Sequence, residues 1–238
     1  MEIQTLKTLI DRSENIVFFG GAGVSTESGI PDFRSPDGLY SQKYSVPPET
    51  ILSHEYFYSD TESFYRFYRE KMLCPDARPN AAHFALAKLE KQGKLSAVIT
   101  QNIDGLHSKA GSKRVFELHG SANRNICRKC GKIFSAEDIL NSVGIPRCEC
   151  GGLIKPDVVL YGESLDADTI DGAIDAISKA DLLIVAGTSL TVYPAAGFVT
   201  LFKGNALVLV NKSETPMDHL ATLIIREPVG KVLGSIVP

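Results

Sequence analysis

The 238-residue chain predicts an α/β fold: a doubly wound parallel sheet with a smaller cysteine-bearing module inserted into it. Three observations carry that expectation. Short continuous apolar runs recur without polar alternation, as strands buried on both faces require. Segments of helical period stand between them. Four of the five cysteines, Cys127, Cys130, Cys148 and Cys150, interrupt the alternation as one compact group.

Taken in order, residues 3–12 place Ile3, Leu6, Leu9 and Ile10 on one helix face. Residues 16–19 form a short apolar strand that runs straight into Gly20-Gly21-Ala22-Gly23. A long irregular stretch rich in Ser, Pro and Gly follows to about residue 48, and loops of that length in compact domains are usually functional or disordered. Residues 61–73 and 80–91 read as helices, the second with Phe84, Leu86 and Leu89 as its apolar members. Residues 97–100 and 115–118 read as strands, each followed at once by polar sequence: QNIDG after the first and His119-Gly120 after the second. The cysteine module covers about 121–155, and Ser135 with Asp138 has the spacing of a capping box for a short helix ending near Val143. The alternation then resumes: helix 168–179, strand 182–186, turn Gly187-Thr188-Ser189, helix 194–203, strand 206–210 ending at Asn211, strand 223–225, and a last helix from about Pro228.

Composition excludes several classes. Lys and Arg number 25 against 28 Asp and Glu, a net charge of −3, so a basic nucleic-acid coat is not expected. No apolar run approaches the ~18 residues that span a bilayer. The N-terminus, MEIQTLKTLIDRSEN, has no signal-peptide core. A reducing, cytoplasmic compartment is the expectation, and there four clustered thiols indicate metal and not disulfides.

In a doubly wound sheet, ligands bind beyond the carboxyl ends of the strands. Four such ends carry glycine, hydroxyl or amide groups suited to phosphate and ribose: 20–25, 101–104, 187–189, and Asn211 with Lys212. The first turn does not carry the usual dinucleotide fingerprint, because Thr26 stands where GxGxxG has its third glycine. That turn alone reads equally as a tight strand-to-helix connection. The cysteines are more specific. Cys127-x-x-Cys130, 17 residues, then Cys148-x-Cys150 resembles a zinc ribbon with one residue missing from the second pair. Four thiolates suit a closed, structural Zn²⁺ site. Gly131 and Gly151 fit tight turns whose amides point back at sulfur. His119 stands at a strand's carboxyl end, where a general base would sit, though a lone histidine is more often a structural hydrogen-bonder. Cys74, beside Pro75, reads as a buried or idle thiol.

Several motifs then coincide with one family. GAGVSTESGIPDFR (21–34), TQNIDGLH (100–107), ELHGS (117–121), the four cysteines, IKPDVVLYGE (154–163), GTSL (187–190) and VN (210–211) occur in order. The chain thereby resembles a sirtuin, an NAD-dependent protein-lysine deacylase, of the short bacterial type. The resemblance implies a Rossmann-like large part over about 1–34, 78–120 and 156–238. It implies a small part made of a helical segment over about 35–77 and a zinc module over about 121–155, with NAD and substrate in the cleft between.

The implied reaction consumes NAD. The acyl oxygen of the modified lysine attacks the nicotinamide ribose, nicotinamide leaves, and a histidine at the position of His119 takes a proton from a ribose hydroxyl. Water finally releases lysine and O-acyl-ADP-ribose. By the same resemblance, Asp104 and the Ile103 backbone hold the carboxamide, Asn102 orders ribose and water, Gln101 contacts the ribose, Phe33 shields the anomeric carbon, and Arg34 holds phosphate or its loop. Gly21, Ala22, Gly23, Thr26, Gly187, Thr188, Ser189, Asn211, Lys212 and Val229 match positions lining the diphosphate and adenosine. Val159, Tyr161, Gly162 and Glu163 match a segment that pairs with an extended acetyl-lysine peptide. The loop after Arg34 is expected to act as a lid.

Departures from the family pattern are the short second cysteine pair, Val24 for isoleucine, Lys155 for arginine and Tyr161 for phenylalanine. Members that prefer succinyl or malonyl groups carry Tyr-x-x-Arg in the helix 61–73. Here Tyr65 is followed by Tyr68, which predicts neutral acyl groups, acetyl first. A monomer is expected, with neither membrane nor nucleic acid as partner.

Overall fold

In a computed structural model, which describes residues 1–237, helices and strands alternate as follows. Helix α1 (Glu2–Arg12) leads into β1 (Ile16–Gly20). Three short helices, α2 (Pro48–Ile51), α3 (His54–Ser59) and α4 (Thr61–Phe67), precede α5 (Ala81–Lys91), β2 (Leu95–Thr100), α6 (Leu106–Ala110) and β3 (Val115–Glu117). Next come β4 (Gly120–Cys127), β5 (Ile133–Phe134), α7 (Ala136–Asn141) and β6 (Ile154–Val158). The chain closes with α8 (Ala167–Lys179), β7 (Leu182–Ala186), β8 (Ala206–Val210), β9 (Leu223–Ile225) and α9 (Val229–Ile236).

Six strands form one sheet in the order β3-β2-β1-β7-β8-β9, every pairing parallel. Counted within the sheet this is 3-2-1-4-5-6, the Rossmann order, and the direction of winding reverses between β1 and β7. The strands alternate by face as the pleat demands. Ile16 and Phe18 join Leu6, Leu86, Leu89, Val232 and Leu233 beneath α1, α5 and α9. Val17 and Phe19 join Ile177, Leu183, Phe198 and Val199 beneath α8. Both faces are therefore dry, which explains why the strands read as unbroken apolar runs.

The second sheet, β5-β4-β6, is antiparallel and spans Gly120–Val158. This sheet packs its apolar face against helices. Aromatic residues of α3 and α4 supply the helical side: Phe57, Phe64, Tyr65 and Phe67, with Tyr68, pack in one cluster with Cys127, Cys148, Ile139 and Ile154.

Local departures from the sequence reading have physical causes. The helix expected to reach residue 73 changes pitch at Tyr68. Its last turn, Tyr68–Met72, is π-type, closed by the Leu73 N–H donating to the Tyr68 carbonyl at 3.2 Å. The segment expected as a helix over 194–203 is a 3-10 helix, Ala195–Leu201. Phe84 is exposed, not a core member, and the buried face of α5 instead carries His83 with Ala82, Ala85, Leu86 and Leu89. The predicted capping box is present: the Asp138 N–H donates to Ser135 Oγ at 3.1 Å, and the Ser135 N–H to Asp138 Oδ2 at 2.7 Å. No helix among the described residues is long and apolar enough to cross a membrane.

Candidate active site and metal centre

The carboxyl ends of β1, β2, β7 and β8 open into a cleft of about 1060 Å³. It lies at the reversal of winding, where ligands of such sheets bind. The loops that end β1 and β7 are locked together there. The Gly23 N–H donates to the Gly187 carbonyl at 2.8 Å. Gly187 has φ +58°, and a Cβ on it would stand 2.4 Å from the Val24 nitrogen. A Cβ on Gly23 would stand 2.8 Å from the Gly187 Cα. These glycines are required because two backbones touch.

Gln101 bridges the same junction from β2. Its N–H donates to the Gly20 carbonyl at 2.9 Å, and its amide to Thr188 Oγ1 at 3.0 Å. Its own carbonyl accepts from His119 Nδ1 at 2.9 Å. A carbonyl can only accept, so Nδ1 carries the proton and Nε2 keeps its lone pair. Burial lowers the pKa of His119 against the opposing effect of the Gln101 carbonyl. The ring lines the cleft as a neutral base at pH 7.

Behind it runs a buried polar chain. Asn102 Nδ2 donates to Ser25 Oγ at 3.1 Å, and Ser25 donates to Asp104 Oδ2 at 2.6 Å. Asp104 Oδ1 accepts the Leu106 N–H at 2.8 Å, at the start of α6, and Asn123 Nδ2 donates to the Asp104 carbonyl at 3.2 Å. Ser25 is 1% exposed and was not singled out as a site residue from sequence. It was legible only as a strand-end hydroxyl, since its partners lie 77 and 79 residues away.

Gly21, Ala22, Gly23, Thr26, Phe33, Arg34, Gln101, Asn102, Ile103, Asp104 and His119 all line this cleft. So do Val159, Tyr161, Gly162, Glu163, Gly187, Thr188, Ser189, Asn211, Lys212 and Val229. Cys74 is exposed and lines the cleft too, which removes the buried alternative and leaves the idle one. Asn123, Val192 and Tyr193 are further lining residues that sequence reasoning passed over.

Two expected roles look different at atomic scale. The Glu163 carboxylate faces the protein: it accepts from Lys155 Nζ and from the Leu160 N–H, both at 3.0 Å, and lies 2.8 Å from His54 Nδ1. It staples the segment in place. Tyr161 is already paired through its backbone, donating to the Leu52 carbonyl at 3.0 Å and accepting from the His54 N–H at 2.9 Å. Among the described residues, the Gly162 N–H and the Val159 carbonyl have no backbone partner.

Tyr65 and Tyr68 are fully buried in the small core and do not line the cleft. The Tyr65 hydroxyl donates to the Ile154 carbonyl, and Tyr68 stacks on Phe64 at 5.5 Å. The Arg69 guanidinium is held by the Ile139 carbonyl, Ser142 Oγ and the Gly144 carbonyl. The loop after Arg34 does bury part of itself: Gly38 and Leu39 are buried, and Asp32 Oδ1 accepts from the Arg34 and Ser35 N–H groups.

The four cysteine sulfurs lie within 4.8 Å of one another. Cys127 and Cys150 are 3.5 Å apart, and Cys130 and Cys148 are 3.7 Å apart. Tetrahedral Zn²⁺ with Zn–S bonds of ~2.3 Å sets sulfurs ~3.8 Å apart, so the cluster fits the ion despite its short second pair. The glycine amides point elsewhere than expected. Gly131 and Gly151 donate to the Cys127 and Cys148 carbonyls, and the amides that reach the Cys127 sulfur are those of Cys130 and of Lys129, the latter at 3.4 Å.

Comparison with known proteins agrees with this geometry. A profile of the Sir2 family matches residues 21–194. This chain belongs to the Sir2 family. It is 58% identical to an NAD-dependent protein deacetylase of Clostridium acetobutylicum, over 99% of this chain and 98% of that one. It is 57% identical to the protein of the same name in Clostridium perfringens, over 99% and 98%. Among solved structures, a Sir2 protein with a p53 peptide and NAD+ superimposes with a TM-score of 0.88 at 43% identity, covering 99% of this chain and 97% of that chain. Another Sir2 protein, with deacetylated p53 peptide and 3'-O-acetyl ADP ribose, gives 0.89 at 44%, covering 98% and 96%.

Proposed function

We propose that this Sir2-family protein is an NAD-dependent protein-lysine deacetylase acting in the cytoplasm, with NAD as consumed co-substrate and one structural zinc ion. One observation carries the reading: a histidine held as a neutral base, with Nδ1 pinned by a carbonyl, in the cleft where four strand ends meet. The deacetylase relatives support it at more than half identity over the whole chain.

NAD supplies an electrophilic ribose carbon and a neutral leaving group when bound. The chain's residues do the rest. Gly21 to Gly23 and Gly187 to Ser189 bring bare backbone up to the diphosphate, and Asn211, Lys212 and Val229 line the far end of the cleft for adenosine. Ser25 fixes Asn102 and Asp104, so the ribose and carboxamide meet oriented groups at no reorganisation cost. Phe33 excludes water from the reacting carbon. His119 Nε2 takes the proton from the ribose hydroxyl, and the Gln101 carbonyl stabilises the imidazolium that forms. The extended peptide pairs with the free Gly162 N–H and Val159 carbonyl, with Val192 and Tyr193 also lining the cleft. Arg66 and Arg69 do not line the cleft, and the one cation of the π-turn that does, Lys71, is paired with Glu70 at 2.9 Å, which supports a neutral acyl group.

The test is His119→Ala with an acetyl-lysine peptide and labelled NAD. The variant is expected to fold, keep zinc and lose turnover, while the parent protein places label on O-acetyl-ADP-ribose. Retained turnover refutes the base, and label on protein refutes deacetylation in favour of ADP-ribosyl transfer. Faster removal of succinyl than acetyl groups refutes the acyl assignment.

A further inference from the structure

The two tyrosines Tyr40 and Tyr161 meet across the mouth of the cleft, their hydroxyl oxygens 2.8 Å apart. Their supports are unequal. Tyr161 is fixed by two backbone hydrogen bonds to Leu52 and His54. Tyr40 lies in the loop that carries Phe33 and Arg34; Leu39 anchors that loop in the small core, while its backbone hydrogen bonds are internal. The Leu39 N–H donates to the Asp32 carbonyl and the Tyr40 N–H to the Phe33 carbonyl, each at 2.8 Å. The Tyr40 ring also packs on Phe33, with centroids 5.4 Å apart, and lies under the Arg34 guanidinium at 5.3 Å. Whatever holds Tyr40 therefore holds both cleft residues of the loop.

We propose that the Tyr40–Tyr161 hydroxyl pair is a latch that ties the loop bearing Phe33 and Arg34 to the substrate-pairing segment, positioning Phe33 on the cleft. The inference rests on the deacetylase reading for its functional consequence, but the latch itself is a contact within the chain. Both tyrosines are positioning residues. Phenylalanine at 161 would keep the ring and lose the tie, so the hydroxyl is the specific contribution of this chain. Burial and the Tyr161 hydroxyl both raise the Tyr40 pKa, so the Tyr40 hydroxyl keeps its proton across the working pH range.

The experiment compares the parent protein with Tyr40→Phe, Tyr161→Phe and the double variant. Amide hydrogen exchange at Gly38, Leu39 and Tyr40 is followed without ligand, and steady-state kinetics with NAD and acetyl-lysine peptide. A net hydrogen bond of ordinary strength predicts exchange about three- to tenfold faster in either single variant. The double variant is expected to go no further, since the same bond is already lost. KM for NAD should rise by a similar factor with kcat within about twofold. Unchanged exchange in Tyr161→Phe, or effects that multiply in the double variant, overturns the latch. If the parent protein shows no NAD-dependent deacetylation, the functional reading fails, while the exchange result still decides the latch.

Discussion

Acid should destabilise this protein through a pair of buried histidines outside the cleft. His83 on α5 and His107 on α6 have ring centroids 4.7 Å apart and are 0% and 2% exposed. His83 Nε2 and both His107 nitrogens lack partners. Burial pushes His83 down to about 4, opposed by Asp104, and His107 down to about 3, with His83 adding to the effect. The unfolded chain titrates near the ordinary value of ~6.5. The folded state therefore binds protons less readily. Its stability is complete above pH ~6.5 and falls as the pH drops from there towards the folded values. At pH 5 the folded rings are still mostly neutral, so the loss is set almost wholly by the unfolded chain. It is about 2 kcal/mol per histidine, roughly 4 kcal/mol for the pair, against a total stability of ~5–15 kcal/mol. Urea unfolding at pH 7 and pH 5 measures it, with His107→Phe as the comparison. Carboxylate titration and zinc release act on both proteins and drop out of the difference. The parent should lose about 2 kcal/mol more than the variant between the two pH values. Equal losses would refute the assignment of His107 as a buried neutral base.

Three other perturbations follow from the same structure. Ser25→Ala removes the partner of Asp104 Oδ2 and leaves the buried Asn102 amide unpaired, the latter at about 1–3 kcal/mol; kcat/KM for nicotinamide release should fall about 10- to 100-fold with the fold retained, and an unchanged value removes Ser25 from the site. Cys148→Ser breaks the four-sulfur cluster at the end of β4; metal analysis should drop from about one zinc per chain towards none, with a lower Tm. Gly187→Ala places a methyl against the Val24 nitrogen at φ +58°; urea unfolding should show a loss above about 2 kcal/mol, and a loss below about 1 kcal/mol would show that the β1 and β7 loops part easily.

Much of the fold was legible because its strands are buried on both faces. Continuous apolar runs marked β1, β2, β7, β8 and β9 to within two residues, and β7, β8 and β9 to the residue. The cysteine spacing marked the metal cluster for a similar reason: the ligands are local in sequence. What was not legible depends on distant partners. Ser25 cannot be recognised without Asn102 and Asp104. Glu163 reads as an unpaired cleft carboxylate until Lys155 and His54 are seen to hold it. Phe84 reads as core because helical period alone does not say which face of α5 is covered, and the covered face carries a histidine.

The missing third glycine of the first loop illustrates how a fingerprint fails while the fold behind it holds. In the dinucleotide fingerprint that glycine lets a helix pack closely on the strand it follows. Here no helix starts at the end of β1. The chain makes two 3-10 turns, Ala22–Val24 and Thr26–Ser28, and the crossover helix that packs beside β1 is α5, more than fifty residues later. Thr26 therefore meets no helix packing that would demand a glycine, and its hydroxyl can close the turn by donating to the Gly23 carbonyl at 3.0 Å. The glycines that remain, Gly21 and Gly23, are the ones that must clear Gly187 and Thr188 on the β7 loop. The close approach has moved from helix against strand to loop against loop. It frees the chain between β1 and α5 to build the helical half of the small core, and so to place Phe33 and Tyr40 in the same cleft as those strand ends.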